Sequence, residues 1–213
     1  LVAELRGSAE CLVTANPGKL RYLNEDLALS IVTSVTTSRI ARKQGLAKKL
    51  TARLIAEEAE AGALVSTLGI FEQGFYDQLG YGSGSYEHWM SFDPADIAID
   101  KKIRPPRRLN GADWKLMYQA LQNRRQHHGG VTLLAEHLLQ AEMGWSKKSF
   151  GLGYADGPHG ELTHYFWGTS KDENGPLIIY SMAFQTNEQF IELMALIKSQ
   201  GDQVRLVKMR EPA

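Results

Sequence analysis

The segment Val35-Thr-Thr-Ser-Arg-Ile-Ala-Arg42-Lys-Gln-Gly45-Leu-Ala47 joins a β-prone run to a helical pattern. Residues 28–37 are rich in β-branched side chains and carry no charge, which favours a strand. Beyond Gly45, leucines recur at every fourth position, as on one face of an amphipathic helix. These leucines are Leu46, Leu50 and Leu54. We therefore predict a strand that leads directly into the N-terminus of a helix.

This junction has the chemistry of an anion site. A helix N-terminus presents unpaired backbone N–H groups and a partial positive charge, which suit a phosphate or pyrophosphate. Gly45 lets a ligand approach the backbone, and Arg42 and Lys43 add positive charge. The alternative is an ordinary strand–helix turn, because the pattern Arg-x-x-Gly-x-Ala fixes only three positions of six. Taken alone, the segment leaves both interpretations open.

The flanking sequence predicts a βαβ unit. Gly62 is placed to end the helix, and residues 63–70 form an apolar run typical of a strand buried on both faces. Upstream, residues 10–15 predict a short strand, and Asn16-Pro-Gly18 predicts a turn after it.

A second motif, Glu72-Gln-Gly-Phe-Tyr76-Asp-Gln-Leu-Gly80-Tyr-Gly82, follows the predicted buried strand. It predicts one short helix that Gly80 stops. The phenol of Tyr76 is a proton donor near pH 7, so it could protonate a leaving thiolate. A tyrosine that only packs is the alternative, and the motif by itself favours that simpler interpretation.

A proline-rich basic stretch divides the chain. Residues 94–109 combine a charge run with Pro105-Pro106, which indicates a linker between a domain at 1–93 and another at 110–213. No aromatic side chains are interleaved to stack on bases, which argues against nucleic acid. In the second half we predict helices at 111–126, 131–143 and 187–199, and strands at 150–154, 161–167, 177–184 and 203–209.

Composition narrows the class of protein. The 213 residues carry 24 Lys+Arg and 24 Asp+Glu, a balance that argues against nucleic acid and acidic membranes as partners. No apolar run reaches the length of a membrane span. The single Cys11 cannot form an internal disulfide, which fits a reducing, cytoplasmic compartment. The histidines show no metal-ligand spacing, so we expect no metal. The missing initial Met suggests a segment of a longer protein.

Together the two motifs resemble the GNAT acetyltransferase superfamily, and more narrowly its enhanced-intracellular-survival (Eis-like) branch. The similar features are Arg42-Lys-Gln-Gly-Leu46, Ser66-Thr-Leu68, Glu72 with Tyr76-Asp-Gln-Leu-Gly-Tyr-Gly82, and Arg107-Arg108. Motif matches cover roughly residues 32–82. The resemblance implies an α/β fold, a mixed sheet with flanking helices, in tandem GNAT-like domains. The first domain would be incomplete, the second degenerate, and the branch's C-terminal sterol-carrier-like domain would be missing.

The resemblance also implies an activity and a site. It indicates an N-acetyltransferase that transfers the acetyl group of acetyl-CoA to a primary amine of a small molecule or lysine. Backbone amides of the basic loop would hold the CoA pyrophosphate, strand main chain would hold the pantetheine arm, and Tyr76 would be the acid. The implied cofactor-binding residues are Val35, Thr37, Arg42, Lys43, Gln44, Gly45, Leu46, Ala47 and Glu72. Assembly into a homo-oligomer is a further implication.

The general base is not identified. The Eis-like branch uses its own C-terminal carboxylate, delivered by the third domain, and Glu25 and Asp26 are weak substitutes. A non-catalytic CoA-binding or regulatory relative is therefore the alternative. The junction at 183–188 has helix-capping residues and no basic pair, so only the first domain is expected to bind CoA.

Overall fold

The computed structural model describes residues 1–70, 72, 74–84, 86–125, 131–144 and 148–212, and of 131–133 only the backbone. The chain forms two compact units, Leu1–Ser85 with His128–Ala135, and Tyr86–His127 with Glu136–Ala213. Each contains a mixed sheet of parallel and antiparallel strands with flanking helices. The predicted α/β class is confirmed. The division into domains at 1–93 and 110–213 stays a prediction.

The elements follow one another as β1 (Val2–Leu5), β2 (Ser8–Tyr22), β3 (Glu25–Thr37), α1 (Leu46–Glu60), β4 (Val65–Thr67), β5 (Trp89–Phe92), β6 (Arg107–Leu109), α2 (Trp114–Gln122), β7 (Val131–Leu134), α3 (Glu136–Gly144), β8 (Ser149–Tyr154), β9 (His164–Ser170), β10 (Leu177–Ala183), α4 (Asn187–Lys198) and β11 (Val207–Arg210). Short 3₁₀ helices lie at Arg39–Ala41, Asp77–Leu79, Pro94–Asp96 and Gly111–Asp113.

The first unit is a sheet in the order β1-β2-β3-β4, with β7 also paired to β2. The long β2–β3 hairpin is antiparallel, whereas β3 and β4 are parallel and are connected through α1. Val13, Val32 and Leu54 form the buried centre of this unit, because α1 lays its apolar face on the sheet. The predicted βαβ unit is confirmed, as is the helix that begins directly after Gly45.

The turn predicted at 16–18 is wrong, because β2 continues through it. Pro17 pairs in register with Ser30 of β3. On the other side of β2, β1 pairs as far as Leu12 and β7 begins at Gly18, so among the described strands no partner faces Pro17 there. A strand tolerates proline where a backbone N–H is not needed by a neighbour.

Two further predictions for the first unit need correction. The strand expected over 63–70 is limited to β4 and is only half-buried, with Leu64 71% and Ile70 53% exposed, because β4 is the edge of the sheet. The short helix expected to end at Gly80 is reduced to the 3₁₀ turn Asp77–Leu79, since Gly74 has a left-handed φ of +90°. Gly80 ends that turn as predicted.

The second unit is built on a sheet in the order β5-β11-β10-β9-β8-β6. Its strands β8 and β10 and helix α4 confirm the elements predicted there. The helix expected over 131–143 begins only at Glu136, because the β-prone residues 131–134 pair with β2 as β7. The predicted linker contributes β6, which pairs with β8.

Arg104 fixes the extended chain before β6. Its guanidinium donates two hydrogen bonds to Asp156 and two to Glu192, at 2.8–3.0 Å. His164, which is fully buried, lies with Nε2 3.2 Å from the Glu192 carboxylate. Arg104 thereby holds the pKa values of Asp156 and Glu192 below their usual range. The Arg104 guanidinium therefore supplies the positive charge that balances the carboxylates of Asp156 and Glu192.

We predict that Arg104→Met lowers the free energy of unfolding of this unit by about 2 kcal/mol, because it leaves Glu192 buried without its cation. The lowered carboxyl pKa values mean that the stabilisation is complete above about pH 4 and is lost as the pH falls below that. Urea unfolding followed by fluorescence of the buried Trp167 measures it. Arg107→Met, which removes one surface ion pair with Asp113, is the control and should cost less than about 1 kcal/mol. Equal losses in both variants contradict the prediction.

Candidate functional site

The candidate site begins where β3 and β4 separate. Their parallel ladder ends at the pair Ile31–Thr67, although β3 continues to Thr37. Past this point the two segments border a cleft of about 230 Å³. Its lining consists of Val32, Thr33, Ser34, Val35, Thr36, Leu68, Gly69 and Tyr76. On the side of β3 that faces the cleft, residues 32–36 have no strand partner in the described part of the chain. Their backbone groups can therefore form hydrogen bonds with a ligand.

A β-bulge shapes the same stretch of β3. Ser34 has a left-handed φ of +52°. Leu12 lies opposite Thr36 and Thr14 opposite Thr33, so β3 spans three steps where β2 spans two. The extra residue of a bulge is left out of the ladder and bends the strand locally. The bulge therefore frees backbone groups of β3 where they line the cleft.

The other end of the site is the exposed loop between β3 and α1. Gly45, with φ +74°, is the N-cap of α1 and supplies no side-chain hydrogen bond, and the first turn has no acidic residue. A Cβ on Gly45 would meet nothing within 4 Å. Lys43 also has a positive φ, of +63°. The first amides of α1 are thus open, and together with the helix dipole they favour an anion.

Helix α4 of the second unit begins differently. The Thr186 side chain accepts a hydrogen bond from the Gln189 backbone N–H, and the Gln189 side chain accepts one in return from the Thr186 N–H. Glu188 adds a negative charge in the first turn. The capping predicted at 183–188 is confirmed. It gives the first backbone N–H groups of α4 partners within the chain, whereas the first N–H groups of α1 have no side-chain cap.

Among the described residues that line the cleft, Tyr76 is the one with an ionisable side chain. It is 8% exposed, and the rings of Phe75 and Tyr81 pack edge-on against it with centroids at 4.9 and 6.1 Å. Its hydroxyl makes no hydrogen bond within the described residues. Burial raises the pKa of Tyr76, and Tyr81 and Glu72 raise it further, so the phenol keeps its proton at neutral pH. It can therefore donate that proton to a group in the cleft.

The predicted site residues fall into four places. Val35 and Tyr76 line the cleft, and residues 42–47 form the loop and first turn of α1. Glu72 is exposed and close enough to act on the pKa of Tyr76. Thr37 lies beyond the cleft lining, with its hydroxyl 3.3 Å from the Cys11 sulfur.

Neither candidate substitute for the base lies near the cleft. Glu25 and Asp26 begin β3, at the opposite end of the strand from Val32–Thr36. Arg21 forms an ion pair with Asp26 and holds the pKa of that carboxyl below its usual range. A carboxylate so stabilised is a poor proton acceptor.

Sequence reasoning quoted Leu68 within a motif but did not assign Leu68, Gly69 or the bulge at Ser34 to the site. An isolated glycine in a strand-like run is the signal for close backbone approach, and it could have drawn attention to Gly69. The bulge has no such signal, because Ser34 is one small polar residue in a β-branched run. Elsewhere, Asp156, His164 and Glu192 bring three possible metal-ligand atoms within 4.8 Å of one another, but Arg104 already occupies both carboxylates.

A family model matches the part of the chain that contains the candidate site. Residues 1–84 match the family model of the acetyltransferase (GNAT) domain. This match covers the cleft, the loop and Tyr76. No curated protein matches the chain in sequence.

Solved structures share the fold at low sequence identity. A probable N-acyltransferase from Enterococcus faecalis V583 is 17% identical with a TM-score of 0.79, over 95% of this chain and 52% of that one. Eis1 from Mycobacterium abscessus is 14% identical with a TM-score of 0.79, over 98% and 55%. N-myristoyltransferase from Saccharomyces cerevisiae, with bound myristoyl-CoA, is 10% identical with a TM-score of 0.54, over 98% and 59%. The chain thus spans about half the length of the first two. None of its described helices is long and apolar enough to cross a membrane.

We predict that inorganic pyrophosphate binds at the start of α1 and shifts the backbone amide resonances of residues 45–47 in NMR spectra. Gly45→Asp should weaken this binding at least about tenfold, because it adds a like charge beside the open amides. Gly7→Asp is the matched control, since Gly7 has a similar φ of +79° and is likewise open, but lies in the β1–β2 turn. Equal pyrophosphate affinity in the two variants would contradict the prediction of an anion site at the start of α1.

Proposed function

We propose that the chain is an acetyl-CoA-dependent N-acetyltransferase acting on a primary amine of a small molecule or a lysine. The observation that carries the proposal is the separation of β3 from β4 beside the uncapped N-terminus of α1. A free strand edge can pair with the amides of a pantetheine arm. The open helix start, one short loop further along the chain, can hold the pyrophosphate at the other end of that arm.

Each predicted cofactor residue has a part in this proposal. Backbone N–H groups of residues 42–47 bind the pyrophosphate, and the side chains of Arg42 and Lys43 add positive charge. Main-chain groups of β3 at Val35, continuing towards Thr37, pair with the pantetheine arm. Glu72, exposed beside Tyr76, borders the thioester end.

The proposed reaction is a direct transfer. The amine nitrogen attacks the thioester carbonyl, a C–N bond forms, the C–S bond breaks, and the thiolate of CoA leaves. Tyr76 donates its phenolic proton to that thiolate. The attacking nitrogen loses one proton to a base, and Tyr76 recovers its own proton from solvent before the next cycle.

The apolar residues that line the cleft favour a donor with a short acyl group. Val32, Val35 and Leu68 line the cleft and also pack into the apolar cluster around Val13 and Leu54. A chain extending past the thioester would have to displace this packed core, which is costly. We therefore expect acetyl-CoA to be a much better donor than myristoyl-CoA, the ligand of the yeast enzyme.

A specific observation favours a second candidate, a non-catalytic CoA-binding relative. The cleft lining contains no carboxylate or histidine among the described residues, so no base is at hand for the acceptor amine. Such a protein would keep CoA binding and lack turnover.

Membership of the Eis-like branch, with tandem domains of which the second is degenerate, is also part of the proposal. The likeness in fold to Eis1 and the capped start of α4 support it. The unpaired Cys11 supports a cytoplasmic location. The homo-oligomer stays a prediction from the resemblance.

The test combines acetyl-CoA calorimetry with thiol release on a panel of polyamines, aminoglycosides and lysine peptides. Gly69→Val should weaken acetyl-CoA binding at least about tenfold, because its side chain would project into open space at the cleft that Gly69 lines. Gly82→Val, equally open but outside the lining, should bind normally. Tyr76→Phe should bind normally and lose about a hundredfold in kcat.

The outcomes separate the two candidates. Turnover by the wild-type protein that depends on Tyr76 supports the enzyme. Binding that depends on Gly69, without turnover of any amine, supports the non-catalytic relative. If acetyl-CoA does not bind, both candidates are wrong.

A further inference from the structure

A second tyrosine connects Tyr76 to the sheet. The hydroxyls of Tyr81 and Ser66 lie 2.6 Å apart and share a hydrogen bond in which either can donate. Ser66 is the middle residue of β4 and pairs in register with Ser30 of β3. The bond therefore attaches the segment that carries Tyr76 to the strand that borders the cleft.

Tyr81 in turn contacts Tyr76 in two ways. Its ring stands edge-on to the Tyr76 ring at an interplanar angle of 79°. Its backbone N–H lies 3.3 Å from the Tyr76 carbonyl, which also accepts the Leu79 N–H at 2.9 Å. The turn from Tyr76 to Tyr81 is thus closed on itself, and Ser66 holds its far end.

A weaker contact fixes the other side of this turn. Lys48 of α1 donates to the Gln78 side chain at 2.8 Å, but both residues are exposed. Exposed contacts of this kind add little stability. The Ser66–Tyr81 bond is partly buried, so its loss leaves polar groups without a partner and costs more.

We propose that Ser66 and Tyr81 are positioning residues that hold the Tyr76 hydroxyl in the cleft. The ring of Tyr81 closes one side of Tyr76, and Ser66 keeps that ring in place. Without the bond, the Tyr81 ring moves away and water reaches the Tyr76 phenol. The link to catalysis rests on the proposed function, whereas the positioning of Tyr76 does not.

The chain supplies a matched control for Ser66. Ser30 is its register partner, is 1% exposed, and has a hydroxyl with no hydrogen-bond partner among the described residues. Removal of that hydroxyl should therefore have little effect. Ser66→Ala and Ser30→Ala remove the same atom from paired positions of adjacent strands, and only the first breaks the bond to Tyr81. Ser66→Thr keeps the hydroxyl and suits a strand.

The first experiment measures Tyr76 directly and needs no turnover. Tyrosine labelled with ¹³C at the ζ carbon reports the ionisation of the Tyr76 phenol by NMR. In Ser66→Ala the pKa of Tyr76 should fall towards the ordinary value of a tyrosine phenol, because burial is the largest cause that raises it. Tyr81→Phe should lower it as well, but it also removes a phenol that raises the Tyr76 pKa directly, so Ser66→Ala is the decisive variant. Ser30→Ala and Ser66→Thr should match the wild-type protein.

The second experiment measures thiol release from acetyl-CoA. Ser66→Ala and Tyr81→Phe should each lower kcat about tenfold while KM for acetyl-CoA changes less than twofold, because a displaced acid misses the leaving thiolate. The loss of kcat at alkaline pH should begin at a lower pH in both variants, because the Tyr76 phenol would lose its proton at a lower pH.

An unchanged Tyr76 pKa in Ser66→Ala overturns the positioning proposal, as does an equal change in Ser30→Ala. If the variants show the expected change in the Tyr76 pKa but the wild-type protein has no turnover, the positioning role stands and the proposed enzyme is contradicted.

Discussion

The parallel ladder between β3 and β4 lasts for three residue pairs, and the candidate site depends on where it stops. Beyond Ile31 and Thr67 the strands separate, and side chains of α1 fill the space beneath them together with Val32 and Leu68. Because backbone groups of β3 lose their neighbour there, the sheet presents an edge without a strand partner in the described part of the chain. Its side chains are apolar at Val32 and Val35 and carry hydroxyls at Thr33, Ser34 and Thr36. The bulge at Ser34 extends this edge by disturbing the ladder on the β2 side as well.

The same strand then ends at an open helix. A short loop with two residues of positive φ, Lys43 and Gly45, turns β3 into α1 without a side-chain cap. A ligand that pairs with the strand edge and carries a pyrophosphate would satisfy both features at once. Helix α4 shows how a helix start closes when Thr186 and Gln189 form a capping box. The contrast between these two helices supports the proposal that the cofactor binds in the first unit.

The sequence alone predicted the parts of this site that follow from local chemistry. Leucine periodicity and Gly45 predicted α1, and β-branched density predicted β3. It could not predict features set by the surroundings of an element. Pro17 suggested a turn, but the gap between β1 and β7 allows it inside β2. Residues 63–70 appeared apolar enough for a central strand, but β4 is an edge. The Ser66–Tyr81 bond joins residues whose proximity only the fold reveals.

The most direct test of the central claim is amide hydrogen exchange with and without acetyl-CoA. If the separated strand and the open helix start hold the cofactor, exchange should slow at residues 32–36 and 45–48 together, because these backbone groups would bind the ligand. The start of α4 should not change. Slower exchange at α4 with no change at these two segments would contradict the assignment of the cofactor to the first unit.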